Sequence, residues 1–402
     1  MRILFYSQWW QPEQFFKGLP FAKALVERGH QVEVLTGFPN YPSGKIIPPY
    51  RLKLFQKETM EGVKVNRVFL YPSHNSSALK RIINYISFMV SSTLIGPFLV
   101  TRADVVYAYN LVTLVPFCSV MKLFYRSKVI LDIQDLWPES ILSTGMMRTR
   151  WYFKWFDKLC KWLYSRAERV IVLSPGFKEY LVAKGVPKKK IEVIYNWCDE
   201  GSFPKEAVIN EGIVEEKTLR ILYAGAMGPA QGLETVVKSA EICQKEGMNV
   251  IIKLIGHGIC YVALQEMVKS IGLRNCEIFQ GRPLREMGGL FRWADVLLVH
   301  LKDDPLFRIT IPSKTQAYLY LGKPILMAGR GDAAKIIQEA QAGIVCSPEN
   351  SEEMVNAIRK FLSRTQDERR AMGERGRAFY QKRMSFSTGV TAFEKIFRSL
   401  VN

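Results

Sequence analysis

Short apolar runs alternate with amphipathic stretches along the chain. The runs are residues 2–7 and 31–36, Val105–Tyr109, Val129–Ile133, Val170–Leu173 and Ile191–Ile194, with helical patterns between them. After about residue 218 the alternation restarts, with runs at Leu219–Ala224, Asn249–Ile255, Glu277–Gln280, Val296–His300, Pro324–Met327 and Gly343–Cys346. Runs this short and this apolar predict strands covered on both faces, and strand–helix–strand alternation predicts parallel sheets clad in helices. The polar stretch Asn196–Lys217, with Gly, Pro and mixed charge, divides the pattern into halves of ordinary domain size. The predicted fold class is therefore α/β, with two doubly wound Rossmann-like domains, 1–197 and 198–384, facing a cleft, and a final segment 385–402. In such sheets ligands bind beyond the carboxyl ends of the strands, so the loops there hold the candidate chemistry.

Two apolar segments stand apart. Ile82–Thr101 carries no charge and is bracketed by Arg81 and Arg102, a length that permits a membrane span. It also holds Asn84, Ser87, Ser91, Ser92, Thr93 and Pro97, and it lies between two strands of one sheet, so a buried or partly exposed helix is expected. In Arg150–Arg166 an aromatic stripe (Trp151, Trp155, Leu159, Trp162) runs beside Lys154, Lys158 and Lys161. That pattern suits a helix lying on anionic lipid, or one packed on its own sheet.

Charge adds a partner class. The net charge is +19, and residues 1–200 carry 28 Lys and Arg against 15 Asp and Glu. A basic first half points to an anionic partner, a phosphorylated substrate or an anionic membrane surface, or else to a scattered solvated face. Nucleic acid is set aside because no recognition motif accompanies the charge. Seven cysteines without metal-ligand spacing predict reduced, mostly buried thiols of a cytoplasmic protein, and the N-terminus reads as a strand rather than a signal peptide. No metal-ligand cluster is found, and no cofactor is expected.

The loop motifs narrow the chemistry. Gly18 precedes a helix whose free N–H groups suit an anion. Asn40 and Tyr41, in a Gly- and Pro-rich loop after the second strand, are candidates to bind an acceptor, or simple turn residues. Gln134, Asp135, Trp137 and Glu139 leave a strand tip together; carboxylates there orient hydroxyls or take a proton, or they cap a helix. Gly225, Gly228 and Gly232, with Gln231, join a strand to a helix and let backbone approach a diphosphate. Gly256 repeats a strand-end glycine, and Arg282 and Gln316 complete the donor-side set. The most telling cluster is Arg308 with Pro312-Ser313-Lys314: Lys314 falls in the first turn of a helix, against the positive end of its dipole. A bound anion, also held by Arg308, resolves that conflict.

These motifs, in this order, resemble family-four retaining GT-B glycosyltransferases, and among them the WbuB-like branch of bacterial O-antigen and capsule assembly. The likeness is carried by Arg28-Gly29-His30, Gly37–Tyr41, Asp135-Leu-Trp-Pro-Glu-Ser140, Val193–Trp197, Tyr223–Leu233 and Ile311–Pro324. It implies a nucleotide-diphosphate sugar, a UDP-sugar first, in the C-terminal domain, with a sugar of N-acetyl-fucosamine type. It implies an undecaprenyl-diphosphate-linked saccharide acceptor in the N-terminal domain, a peripheral place on the inner face of the bacterial cytoplasmic membrane, and a last helix crossing back to the first domain. The chain departs from the pattern where many members carry a His (here Gln134), an Arg and a Lys (Ala226 and Gln231) and two glutamates (Ile309 and Ala317). The mechanism expected is dissociative: Lys314, Arg308 and glycine-loop amides hold the leaving diphosphate, while Asp135 and Glu139 orient the acceptor. The alternatives are a non-catalytic partner in a polysaccharide assembly complex and a nucleotide-sugar 2-epimerase.

Overall fold

A computed structural model describes residues 1–13, 16–74, 78–110, 112–136, 150–203 and 218–401. The chain forms two compact units: one of Met1–Leu173, Phe177–Ile194 and Val390–Asn402, the other of Ser174–Gly176 and Tyr195–Gly389.

The first unit holds eight strands: β1 (Arg2–Tyr6), β2 (Gln31–Gly37), β3 (Phe55–Met60), β4 (Val63–Val68), β5 (Val105–Tyr109), β6 (Lys128–Ile133), β7 (Arg169–Val172) and β8 (Ile191–Val193). Their order is β3-β4-β2-β1-β5-β6-β7-β8. All neighbours are parallel except β3 and β4, which form an antiparallel hairpin at the edge. The sequence pattern missed that hairpin because β3, Phe-Gln-Lys-Glu-Thr-Met, has no buried residue. Its signal was the Glu61-Gly62 turn, both residues at positive φ (47° and 85°), as a two-residue hairpin turn demands.

Side chains of β1 alternate between two helical layers, as strand geometry requires. Phe5 meets Phe21 of helix α1 (Leu19–Glu27), and Tyr6 meets Phe88 of α2 (Ala78–Leu99) and Phe117 of α3 (Val115–Tyr125). The C-terminal helix Phe386–Val401 gives its last three turns to this layer: Phe393 packs on Phe21 and Tyr107 at 5.1 and 5.5 Å, and Phe397 on Tyr107. Glu394 beside them accepts from His30, Arg28 and Arg398. Burial raises its pKa, but those three donors win and bring the carboxyl down to about 2. The Arg28-Gly29-His30 motif is thus a socket for that glutamate.

α2 is long enough to cross a membrane, yet it is an integral part of this unit. Ser92 bonds Tyr6 at 2.6 Å, Asn84 accepts from Gln8 at 2.5 Å, and Ser91 bonds the carbonyl of Phe69. These buried polar groups fix one face to the sheet. The opposite face carries the exposed residues.

The second unit holds β9 (Leu219–Ala224), β10 (Val250–Gly256), β11 (Cys276–Gln280), β12 (Val296–His300), β13 (Ile325–Ala328) and β14 (Gly343–Cys346), in the order β11-β10-β9-β12-β13-β14, all parallel. Two apolar clusters cover its faces, one built on Ile221, Tyr223 and Val237, the other on Leu222, Leu297 and Tyr318. None of the seven cysteines forms a disulfide, and six are buried.

Candidate functional site

Each sheet reverses direction once. The second sheet grows from β9 through β10 to β11, then resumes on the other side of β9 with β12. The first does the same between β1 and β5. Such switch points leave a crevice at the strand carboxyl ends, and both crevices here are furnished with buried polar side chains.

At the β9/β12 crevice the glycine loop follows β9. Gly225 has φ +147°, and a Cβ there would stand 3.1 Å from Lys314 Nζ. Gly256, the last residue of β10, abuts the Gly225 carbonyl so closely that a Cβ would lie 1.7 Å from its oxygen. The two glycines let two loops meet backbone to backbone. Gly228 donates its N–H to Gln231 Oε1 at 2.9 Å, so Gln231 closes the turn it belongs to. The carbonyl of Gln231 accepts from His300 Nδ1 at 2.7 Å, and His300 Nε2 receives the N–H of Glu349. That pattern fixes a neutral imidazole, in keeping with the burial that lowers its pKa. His300 went unmarked as a site residue in the sequence; its signal was a histidine closing an apolar strand.

Lys314 enters from the first turn of helix Ser313–Leu321, which Pro312 caps. Tyr318 of the same helix bonds both the N–H and the C=O of Ala224. The Lys314 ammonium sits 3.7 Å from the centre of the Tyr223 ring, enclosed by protein, with no hydrogen-bond acceptor among the described residues. Burial alone pushes its pKa down to about 7. Ser313 is exposed, and the Gln316 amide, with its nitrogen toward the chain, bonds the carbonyls of Pro312 and Ser313. Arg308 is engaged by Asp303 through two bonds of 2.7 and 2.9 Å on an exposed face. Arg282 is exposed in the loop after β11.

At the β1/β5 crevice the charge is matched. Lys17 and Asp132, both fully enclosed, pair at 2.6 Å, and Tyr107 and Gln134 donate to the same carboxylate, each at 2.5 Å. Asn110, at φ +71°, takes the backbone N–H groups of Gln134 and Asp135 on its amide oxygen and donates to the Asp135 carboxylate at 2.7 Å. Gln134 is thus turned inward on Asp132, while Asp135 is exposed and held in place by Asn110. Asn40 is buried, its amide bonded to Phe38 and Asn84 and its N–H to Glu13, which also holds Tyr41. Tyr41 keeps its ring at the surface, edge-on to Trp9 and His74. Gly18 starts α1, but the adjacent Leu19 N–H is capped by the Gln11 side chain. Trp137 and Glu139 lie outside the described residues. Lys17, Asp132 and Asn110 escaped the sequence reading. Their signals were a carboxylate inside an apolar strand and an asparagine at a strand tip.

Two family models match the chain in succession: "Glycosyl transferase 4-like domain" over residues 19–197 and "Glycosyl transferases group 1" over 205–379. With two Rossmann-like units and a furnished crevice in each, the chain is a glycosyltransferase of the GT-B class. It is similar to WcaI of Escherichia coli (strain K12), a glycosyl transferase assigned to colanic acid biosynthesis, at 26% identity over 90% of this chain and 92% of the relative. Among solved structures it resembles sucrose-phosphate synthase of Thermosynechococcus elongatus (TM-score 0.68, 14% identity, covering 100% of this chain and 99% of that one). It also resembles Anabaena HepE in complex with UDP (TM-score 0.65, 16% identity, 99% and 100%). These structural likenesses speak for the fold. The relatives place the chain among several microbial sugar transferases and do not single out the WbuB-like branch.

Proposed function

We propose that this chain is a retaining transferase that moves a sugar from a nucleotide-diphosphate donor, a UDP-sugar first, to a lipid-diphosphate-linked saccharide in the assembly of a bacterial surface polysaccharide. The observation that carries the donor half is Lys314: an enclosed ammonium without an acceptor among the described residues, beside a glycine loop, at the switch point of a parallel sheet. A cation in that position is costly until an anion arrives, and a diphosphate is the anion that fits a glycine loop facing a helix start. As the donor bond breaks, charge grows on the diphosphate, and Lys314 stabilises it there more than in the bound donor. Arg308 joins only by exchanging Asp303 for the ligand.

The acceptor half rests on Asp135, exposed at the tip of β6 and oriented by Asn110. Asp135 steers the acceptor hydroxyl, the departing phosphate takes its proton, and Tyr41 with Trp9 offers an aromatic surface to the saccharide. The enzyme works peripherally on the inner face of the cytoplasmic membrane, where a lipid-linked acceptor resides. The colanic acid assignment of WcaI supports the polysaccharide reading.

The test is nucleotide release by the purified protein across UDP-, GDP- and dTDP-sugars, with and without a lipid-diphosphate saccharide. N-acetyl-fucosamine-type donors come first. Acceptor-dependent release from one donor, lost in Lys314→Ala, is the expected result. Hydrolysis or transfer that Lys314→Ala leaves intact removes the donor assignment.

A further inference from the structure

The outward face of α2 has no cover among the described residues. Leu79, Ile83, Ile86, Val90, Leu94 and Phe98 recur every three to four residues and are all exposed, forming one stripe along the helix. Leu123 and Phe124, near the end of α3, extend it: Tyr125 bonds the carbonyl of Pro97, which brings the two helix ends together. Exposure peaks at that end, with Phe98 at 86%, Leu123 at 75% and Phe124 at 73%. Isolated exposed apolar side chains are ordinary; a continuous stripe ending in two bare phenylalanines is not.

The hollow at that end is lined by two cations, while of the acids near it Asp104 pairs with Arg2, Glu168 with Lys122, and Glu33 accepts from Thr101. Arg102 follows α2, Arg126 caps α3, and with Phe124 and Tyr125 they line an open hollow. Neither guanidinium has a carboxylate partner among the described residues, and neither α2 nor α3 contains an acidic residue. A second copy of this chain docked about a two-fold axis would bring the same apolar face and the same arginines together, with no acid of α2 or α3 to meet them. An anionic bilayer offers both complements: phosphates for the arginines and acyl chains for the phenylalanines.

We propose that the α2–α3 face of the first unit docks on anionic lipid, with Phe98, Leu123 and Phe124 entering the acyl boundary and Arg102 and Arg126 holding headgroup phosphates. α2 then lies along the membrane surface and does not cross it, because its other face is bonded into the sheet. The proposal deepens the lipid-linked acceptor reading, but it is tested without any acceptor.

The full chain is floated with phosphatidylcholine vesicles, with and without phosphatidylglycerol. Wild type is expected to float with the anionic vesicles, and less so as salt rises. Phe98→Glu with Leu123→Glu and Phe124→Glu is expected to bind about tenfold more weakly or worse, and Phe98→Ser alone less severely in the same direction. Arg102→Ala with Arg126→Ala is expected to lose the preference for phosphatidylglycerol. Donor-dependent nucleotide release from these variants in the absence of vesicles stays at the wild-type level. Failure of wild type to float, or equal flotation of the triple variant, overturns the surface while leaving the enzyme reading intact. A concentration-dependent dimer abolished by the triple variant overturns it in favour of a second copy.

Discussion

Two enclosed lysines sit at the switch points of the two sheets, and they differ in one respect. Lys17 has its counter-ion built in: Asp132 lies 2.6 Å away, with Tyr107 and Gln134 completing the carboxylate's hydrogen bonds. Lys314 has a tyrosine face and a glycine loop, and no carboxylate among the described residues. Burial lowers both pKa values, but only Lys17 has a carboxylate that pulls its own back up. The first is a finished piece of structure; the second, on the proposed function, is half of an ion pair whose other half is the ligand. Enclosure alone does not mark a candidate site, whereas enclosure without a partner does.

Breaking the finished pair has the largest expected effect. Asp132→Leu alone strands Lys17 and should cost about 3–5 kcal/mol in a urea melt, whereas Asp132→Leu with Lys17→Met should recover most of that. If the double variant is as unstable as the single one, the pair does more than neutralise itself. Removing the unfinished charge should act on the ligand instead. Lys314→Ala should weaken binding of the nucleotide diphosphate by about 1.5–3 kcal/mol in calorimetry, with no loss of melting temperature.

A titration sharpens the same contrast. The Lys314 pKa is about 7 folded against 10.5 for a free lysine, so the unfolded chain binds the additional proton between those values. This residue therefore makes the ligand-free protein more stable as pH rises from 7 toward 10.5. A diphosphate favours the ammonium, so donor affinity should fall as pH rises above 7, by up to about tenfold per unit, with proton uptake on binding. Lys314→Met should abolish both dependences; their persistence would assign them to another group. The smallest effect is expected from Arg308→Ala, whose pair with Asp303 is exposed to solvent screening and whose charge is already matched. A larger loss of donor affinity would mean that Arg308 leaves Asp303 for the ligand.

What could be read in advance followed the physics of burial. The parallel strands other than β4 were legible because both faces of each are covered, which makes them apolar runs; β4 is largely buried too, but Lys64, Asn66 and Arg67 break its run. The β3–β4 hairpin was not, because its edge strand faces water and carries no such run. Lys314 was legible because a lysine in the first turn of a helix contradicts the helix dipole, a conflict local to a few residues. The Lys17–Asp132 pair joins positions 115 apart, and only the chain's return to the centre of the sheet brings them together. Gln134 illustrates the limit: its place in the motif was visible, but its inward turn onto Asp132 was not.

The C-terminal helix has a consequence for how the protein is made. Phe393 and Phe397 cover Phe21 and Tyr107, rings whose own strands and helices lie in the first third of the chain. A ribosome completes β8 about two hundred residues before it supplies that cover, an interval of about 10–40 s at ordinary synthesis rates. For that time the nascent first unit shows an aromatic face to the cytosol, over a buried ion pair it has yet to seal. Its folding is therefore expected to lean on chaperones until the last helix emerges, and shortening the chain by that helix should yield aggregate rather than a smaller enzyme.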